Sequence, residues 1–175
     1  LLHTIEAELP GGRKGFLMGV TKLSSQERSA RCVIMTLEGL VLFDARYDGE
    51  TKIERAVAPF DNPAFAQGVM ADIRLIFFKP MADKTTTGRL ADGASVCRHR
   101  LLDGHVIDIV QRGETLWETR IYGSKHRLMR IVKGKREENP PPGAPWGIAD
   151  KIELTALERP GYKLALDLVE AIPIG

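Results

Sequence analysis

The sequence predicts a mainly β protein, in which a curled antiparallel sheet of about 10–11 strands forms a half-barrel under one principal helix. Three observations predict this class. Short segments of alternating apolar and polar residues recur along the chain, turn sequences containing Gly separate them, and a single long stretch, residues 62–80, has helical periodicity. Twisted sheets of this size curl, so the helix is expected to cover the concave face.

The segments before the helix predict four antiparallel strands. These are residues 16–20, 31–37, 40–47 and 51–58. Glu38-Gly39 and Asp48-Gly49 separate the last three, and such acidic-Gly pairs are typical of tight hairpins. Residues 1–9 fit either a short helical turn or a first edge strand.

The predicted helical lid spans about residues 62–79. Asn62 is a good N-cap, Pro63 suits the first helical position, and Pro80 ends the pattern. The residues that recur at helical spacing and form one apolar face are Phe65, Val69, Ile73, Ile76 and Phe77. The polar positions assigned to the other faces are Gln67, Asp72, Arg74 and Lys79.

The pattern returns to strands after the helix. A short strand is predicted near residues 86–90, and longer ones follow at 95–100, 105–111, 115–122, 126–132, 151–157 and 162–169. Between the segments 126–132 and 151–157 lies a proline-rich loop, at about residues 133–149, where the prolines forbid a central strand. We expect a single domain over residues 1–175.

The composition is typical of a folded soluble protein, with 43% hydrophobic and 27% charged residues. The formal net charge of +2 gives no indication of a nucleic-acid partner, and no apolar run is long enough to span a bilayer. The basic cluster at residues 133–136 is interpreted as a solvated loop, or as a weak contact to anionic lipid head groups. We expect a monomer.

Two cysteines, Cys32 and Cys97, leave open one disulfide or two free thiols. Both lie in strand-like segments, which favours small buried thiols over a bridge, and their spacing fits no metal site. The chain opens at Leu1 without an initiator Met, so we expect a processed or trimmed chain.

A search for catalytic residues finds no site. The four histidines are scattered and form no metal-binding pair; they are His3, His99, His105 and His126. His105 and Asp108 lie on opposite faces of a predicted strand, and Ser124 with His126 falls where a hairpin turn is needed. The sequence therefore predicts no catalytic residue, no metal, no cofactor and no enzymatic activity.

The order of the elements resembles the bacterial LolA/LolB-like lipoprotein-localisation fold, and more narrowly the outer-membrane lipoproteins related to LolB. The segments that carry the resemblance are FLMGV, MTLEGLVLFDARYDGE, DNPAFAQGVMADIRLIFF, WGIADKIELTAL and GYKLALDLVEA. The resemblance implies an open half-barrel of roughly eleven strands covered by helices, with an apolar cavity for acyl chains. It also implies export, with a lipid anchor in the full-length protein.

Together these observations predict a non-enzymatic carrier or binding protein for lipids or acylated molecules, located in the periplasm or at the outer membrane. A membrane-surface contact is a further expectation. The candidate cavity lining, chosen from strand alternation and the helix face, is Met18, Met35, Val41, Phe43, Ile73, Phe77, Trp117, Ile121, Met129, Leu164 and Leu166. The alternative is a scaffold lipoprotein with a filled core that docks a protein partner. A third hypothesis, an envelope hydrolase, lacks a nucleophile–base pair.

Overall fold

The computed structural model describes residues 1–9, 11–136 and 148–173, which contain twelve strands and one helix. The strands are β1 (Leu2–Glu8), β2 (Lys14–Ser24), β3 (Ser29–Met35), β4 (Val41–Tyr47), β5 (Thr51–Ala56), β6 (Lys84–Arg89), β7 (Ser95–Arg100), β8 (Val106–Arg112), β9 (Leu116–Tyr122), β10 (Leu128–Lys135), β11 (Lys151–Ala156) and β12 (Tyr162–Glu170). The helix, α1, spans Pro63–Phe77.

All twelve strands belong to one antiparallel sheet with the order β5-β4-β3-β2-β1-β12-β11-β10-β9-β8-β7-β6. The chain runs from the middle of this sheet to the edge at β5, crosses with α1, and returns from the opposite edge at β6. The sheet is curled and does not close, and α1 covers it. The predicted half-barrel with a helical lid is therefore confirmed.

Two predicted boundaries differ from the structure. The first segment is β1, which pairs with both β2 and β12 and so lies in the interior of the sheet rather than at its edge. Five strands therefore precede the helix, not four. Lys133 and Lys135 belong to β10 and pair with β9 and β11, so the predicted loop begins later than residue 133. Residues 137–147 of that loop lie outside the described residues.

The helix begins and ends as its sequence predicts. The Asn62 side chain accepts a hydrogen bond from the backbone N–H of Ala64 at 2.8 Å, and the Phe78 N–H donates to the Arg74 carbonyl at 3.0 Å. These contacts satisfy backbone groups that the helix leaves unpaired at its ends. Within the described residues, no helix has the length and apolar character needed to cross a membrane.

Two hydrophobic clusters lie under α1. The first joins the helix to β3 and β4, and its buried members include Ala30, Cys32, Ile34, Phe43, Ala45, Ala66, Met70 and Ile73. The second lies on β10–β12, and its buried members are Val132, Ala149, Ile152, Leu154 and Ala156. Phe77 packs against both clusters, whereas Leu75 and Ile76 pack against the second. The helix therefore connects the two halves of the sheet.

Candidate functional site

The face of the sheet that α1 covers contains five of the predicted lining residues. Phe43 is fully buried in the first cluster. Trp117, Leu164 and Leu166 pack against the second cluster. Ile121 lies on the same face as Trp117, because the two residues are four positions apart on β9 and side chains alternate between the faces of a strand. The structure thus brings these side chains together on one surface.

Two further predicted residues, Ile73 and Phe77, lie on the inner side of α1. Ile73 is buried in the first cluster, and the Phe77 ring lies 6.1 Å from the ring of His3 on β1. That these seven residues line a ligand stays a prediction.

The remaining predicted residues are not members of either cluster. Met18 and Met35 are direct cross-strand neighbours, and they alternate with Leu17 and Ile34, which pack in the first cluster. Met18 and Met35 therefore lie on the opposite face of the sheet, because a shift of one residue along a strand exchanges the two faces. Val41 pairs with Met35 at a register shift between β3 and β4, two residues before Phe43. Met129 lies at a register shift in β10, where its side chain packs beside Gly123.

A buried polar network joins α1 to the far half of the sheet. Arg130 Nε on β10 lies 2.8 Å from Asp72 Oδ1 on the helix, and the Tyr162 hydroxyl on β12 donates a hydrogen bond to Asp72 Oδ2. Arg130 also donates to Glu158 at 2.9 Å. We call the set Asp72, Arg130 and Tyr162 the helix clasp.

Burial of Asp72 raises the pKa of its carboxyl group, although the Tyr162 hydrogen bond and the Arg130 charge act in the opposite direction. The helical pattern predicted a polar outer face for Asp72, and this prediction is wrong because Asp72 is buried, with 6% of its surface exposed. Helical spacing places Asp72 four residues before Ile76 and seven after Phe65, within the apolar face. That spacing was the signal available for this residue.

His3 is a second buried polar residue beneath the helix, with 2% of its surface exposed. Burial, with a smaller effect from the charge of the chain's terminal amino group, lowers the pKa of His3 to about 4. The imidazole is therefore neutral at neutral pH. Its Nε2 has no hydrogen-bond partner among the residues that the structure describes.

One end of the sheet has an apolar surface. Connections of an antiparallel sheet alternate between its two ends. At the end where β1 finishes, the connections are 9–13, 36–40, 57–62, 78–83, 101–105, 123–127 and 157–161. We call this end the loop rim. The large apolar residues exposed in its described positions are Leu9, Leu37, Leu40, Val57, Met81, Leu102 and Leu157.

Among the described residues, the opposite end is more polar. Its exposed large apolar side chains in that part of the chain are Leu116 at the start of β9, Val169 near the end of β12, and Ile172. Charge on the loop rim is balanced, with five basic residues, Arg13, Lys79, Lys125, Arg127 and Arg159, and five acidic ones, Glu38, Asp61, Asp83, Asp103 and Glu158. The rim therefore combines exposed apolar side chains with no net charge.

Two surface cavities lie at the ends of the strands. The first, of about 530 Å³, is lined by residues 89, 92–95 and 111–113 at the polar end. The second, of about 650 Å³, lies at the loop rim, where Met129, Arg127 and Glu158 contribute to its walls. Neither of these cavities lies beneath α1.

The polar residues considered for catalysis have structural partners. Ser124 and His126 occupy the turn between β9 and β10, where His126 has a φ of 57°. His105 contacts Asp103, whereas Asp108 is paired with Arg98. Across the three described ranges, no three His, Cys, Asp or Glu side chains converge in a way that could hold a metal ion.

The protein is similar in structure to the LolA superfamily protein NE2245 from Nitrosomonas europaea. The TM-score is 0.57 at 11% sequence identity, and the match covers 98% of this chain and 86% of that one. A domain from Vibrio parahaemolyticus described as an outer membrane lipoprotein-sorting protein matches with a TM-score of 0.47 at 10% identity, over 97% of this chain and 83% of that one. No protein-family model matches the sequence, and the search of curated proteins found no match. The chain therefore has a LolA/LolB-like fold.

Proposed function

We propose that this LolA/LolB-like protein is a non-enzymatic carrier or binding protein for lipids or acylated molecules in the bacterial cell envelope. The observation that supports it most is the position of α1. The helix lies across the concave face of an open sheet, and its apolar inner side contacts both halves of that sheet. An acyl chain that entered beneath α1 would replace apolar contacts between the helix and the sheet with apolar contacts to the ligand.

Burial of apolar surface would supply the binding free energy, at about 25 cal/mol per Å² removed from water. Leu164 and Leu166 on β12, together with Phe77 on α1, are the side chains that a ligand would touch first as the helix moved away from the second cluster. The ligand needs α1 to move, because Ala66, Met70 and the rest of the first cluster are tightly packed between the helix and the sheet.

The helix clasp is the polar contact that such a movement would break. Arg130 and Tyr162 hold Asp72 at the second cluster, and Asp72 is 6% exposed. Separating a buried ion pair without new partners is unfavourable. We therefore expect the clasp to keep α1 closed in the absence of ligand.

The loop rim is the surface we propose to contact a membrane. Both connections to α1, residues 57–62 and 78–83, lie in this rim, so a ligand passing under either end of the helix would cross it. Met81 is 73% exposed and Leu102 is 90% exposed. Exposed apolar patches of this kind mark interaction sites, and the balanced charge favours a bilayer without strong anionic character.

Binding of a fluorescent fatty acid to the purified chain tests the proposal, together with native mass spectrometry for lipid that copurifies. We expect binding, and faster association for Asp72→Asn because that substitution weakens the clasp. Glu54→Gln removes the charge that pairs with Arg46 at an exposed position and serves as the control, for which we expect no change in the association rate. If neither wild type nor Asp72→Asn binds the probe or carries lipid, the carrier proposal is refuted.

A scaffold protein with a filled core is the second candidate. It is favoured by the complete burial of Phe43 and the near-complete burial of Met70, which show that the protein's own side chains occupy the first cluster. A scaffold would give no lipid mass and no probe binding, and its melting temperature would not change with added fatty acid. Fractionation of cells that express the full-length gene tests the proposed envelope location and lipid anchor.

A further inference from the structure

Three polar side chains at the β6 edge of the sheet form a hydrogen-bonded chain outside the site described above. Cys97 Sγ lies 3.4 Å from His99 Nε2, and Thr85 Oγ1 lies 3.0 Å from His99 Nδ1. Cys97 and His99 are two residues apart on β7 and so share a face, and Thr85 is directly opposite His99 on β6. We infer that these residues form a thiol-exchange site, at which Cys97 takes up a small disulfide.

The proposed step uses the His99 tautomer that has its proton on Nδ1. In that tautomer the ring donates to the Thr85 hydroxyl oxygen, and Nε2 can accept the Cys97 thiol proton. Burial and the charge of Lys79 lower the pKa of His99, while Asp108 acts in the opposite direction. The ring is therefore an unprotonated base at neutral pH, held in place by a third group, as in other base-assisted nucleophiles.

The position of the thiol allows a reagent to reach it. Cys97 is half-buried, and every residue of the neighbouring edge strand, β6, is exposed. The charges that act on His99 are Lys79, which follows α1, and Asp108, which is on β8 and paired with Arg98. A partly exposed thiol beside an unprotonated base has the surroundings of an activated nucleophile.

Cys32 provides an internal contrast. It lies in the first cluster with 5% of its surface exposed, and burial raises the pKa of its thiol to about 12. A thiol in such surroundings is inert. Both cysteines are free in the structure, so the two environments can be compared in one molecule.

The exchange step is balanced without a further oxidant or reductant. The Cys97 thiol proton passes to His99 Nε2 while the sulfur attacks one sulfur of the disulfide. A new S–S bond forms to Cys97, the original S–S bond breaks, and the leaving thiolate takes the proton back from His99. The products are a mixed disulfide on Cys97 and one small thiol. This modification is stoichiometric and does not depend on lipid binding.

The test is the rate at which the reduced, full chain reacts with dipyridyl disulfide at neutral pH, followed by the absorbance of the released thiopyridone. We expect rapid release of one equivalent of thiopyridone per chain. Cys97→Ser should abolish this fast release, and Cys32→Ser should leave it unchanged. His99→Gln should slow it by about tenfold or more, because a positioned base is lost. Thr85→Val, a milder change, should slow it to a smaller extent.

The slow reaction of Cys32 reports folding in every variant that retains this residue, because unfolding would expose its thiol. The pH profile is the second measurement. In wild type the fast rate should fall as the pH drops through the range in which His99 takes up a proton, and in His99→Gln this step of the profile should be absent. Equal rates for wild type and a folded His99→Gln, or a fast equivalent that remains in Cys97→Ser, would overturn the inference.

Discussion

The helix clasp gives the most demanding test of how α1 is held on the sheet. Asp72→Asn keeps the shape of the side chain and its contact with Tyr162, but removes the charge opposite Arg130. The side chain of Asp72 is 8% exposed and that of Arg130 is 20% exposed, so the pair is largely shielded from water. Breaking a buried pair by changing one partner typically destabilises a protein by about 3–5 kcal/mol.

The expected loss is smaller here because Arg130 keeps a second partner, Glu158, whose side chain is 43% exposed. We expect Asp72→Asn to lower the free energy of unfolding by about 2–3 kcal/mol. The double variant Asp72→Leu with Arg130→Met removes both charges and should lose less than the sum of the two single variants, since apolar replacement of a buried pair is often neutral or stabilising. Loss of the acceptor for the Tyr162 hydroxyl should leave it about 1–3 kcal/mol below wild type.

Urea unfolding at neutral pH, followed by circular dichroism and Trp fluorescence, measures these differences. Glu54→Gln serves as the matched control, because its pair with Arg46 is exposed and should contribute less than about 1 kcal/mol. The reasoning fails if Asp72→Asn is no more destabilising than this control. It also fails if the double variant loses the sum of the two single losses.

Three further predictions concern a glycine, a histidine and the loop rim. Gly134→Ala should destabilise the fold by about 1–3 kcal/mol and change the Trp117 emission in denaturant titrations, because a Cβ at this position would overlap the indole. In the folded protein the pKa of His3 is about 4, below its ordinary value of 6.5, so the stability that neutral His3 gives the fold is lost as the pH falls from about 6.5 to about 4. This loss amounts to up to about 3 kcal/mol, and it should be absent from His3→Leu when thermal melts are compared across this pH range. Leu102→Ser should weaken sedimentation with phosphatidylcholine vesicles about tenfold, whereas Leu116→Ser at the polar end should have no effect; equal weakening by both would refute a rim-directed contact.

Much of the fold could be predicted because its signals are local. The Asn62 cap, the helix face and the acidic-Gly turns act over a few residues, and the structure contains each of them. Gly39 and Gly49 adopt positive φ angles of 91° and 104°, which the tight hairpins require. Strand alternation likewise indicated which residues could form an apolar face shielded from water.

The choice between the two faces could not be predicted from alternation alone. Met18 and Met35 are as apolar as Leu164 and Leu166, yet they lie on the face away from α1. Only the pairing of distant strands decides which set is covered. The sequence analysis also missed the clasp, because Tyr162 is 90 positions from Asp72 and no local pattern connects them.

The Cys97–His99 pair was missed for a different reason. The cysteines and histidines have no metal-binding spacing, the serines form no catalytic motif, and the four histidines are scattered along the sequence. Two residues at i and i+2 in a predicted strand share a face, so their proximity was available from the alternation. The contribution of Thr85 was not available, because it depends on the pairing of β6 with β7.

The pairing of β1 with β12 has a consequence for how the chain folds. These are the first and last of the described strands, and they are neighbours at the centre of the sheet. Until β12 has been synthesised, β1 presents an unpaired backbone edge on the side where β12 will pair. Contacts of such long sequence separation form slowly, and free edges promote aggregation. We expect a chain truncated before Tyr162 to associate through that edge, so the pairing of β12 with β1 protects the first five strands from association.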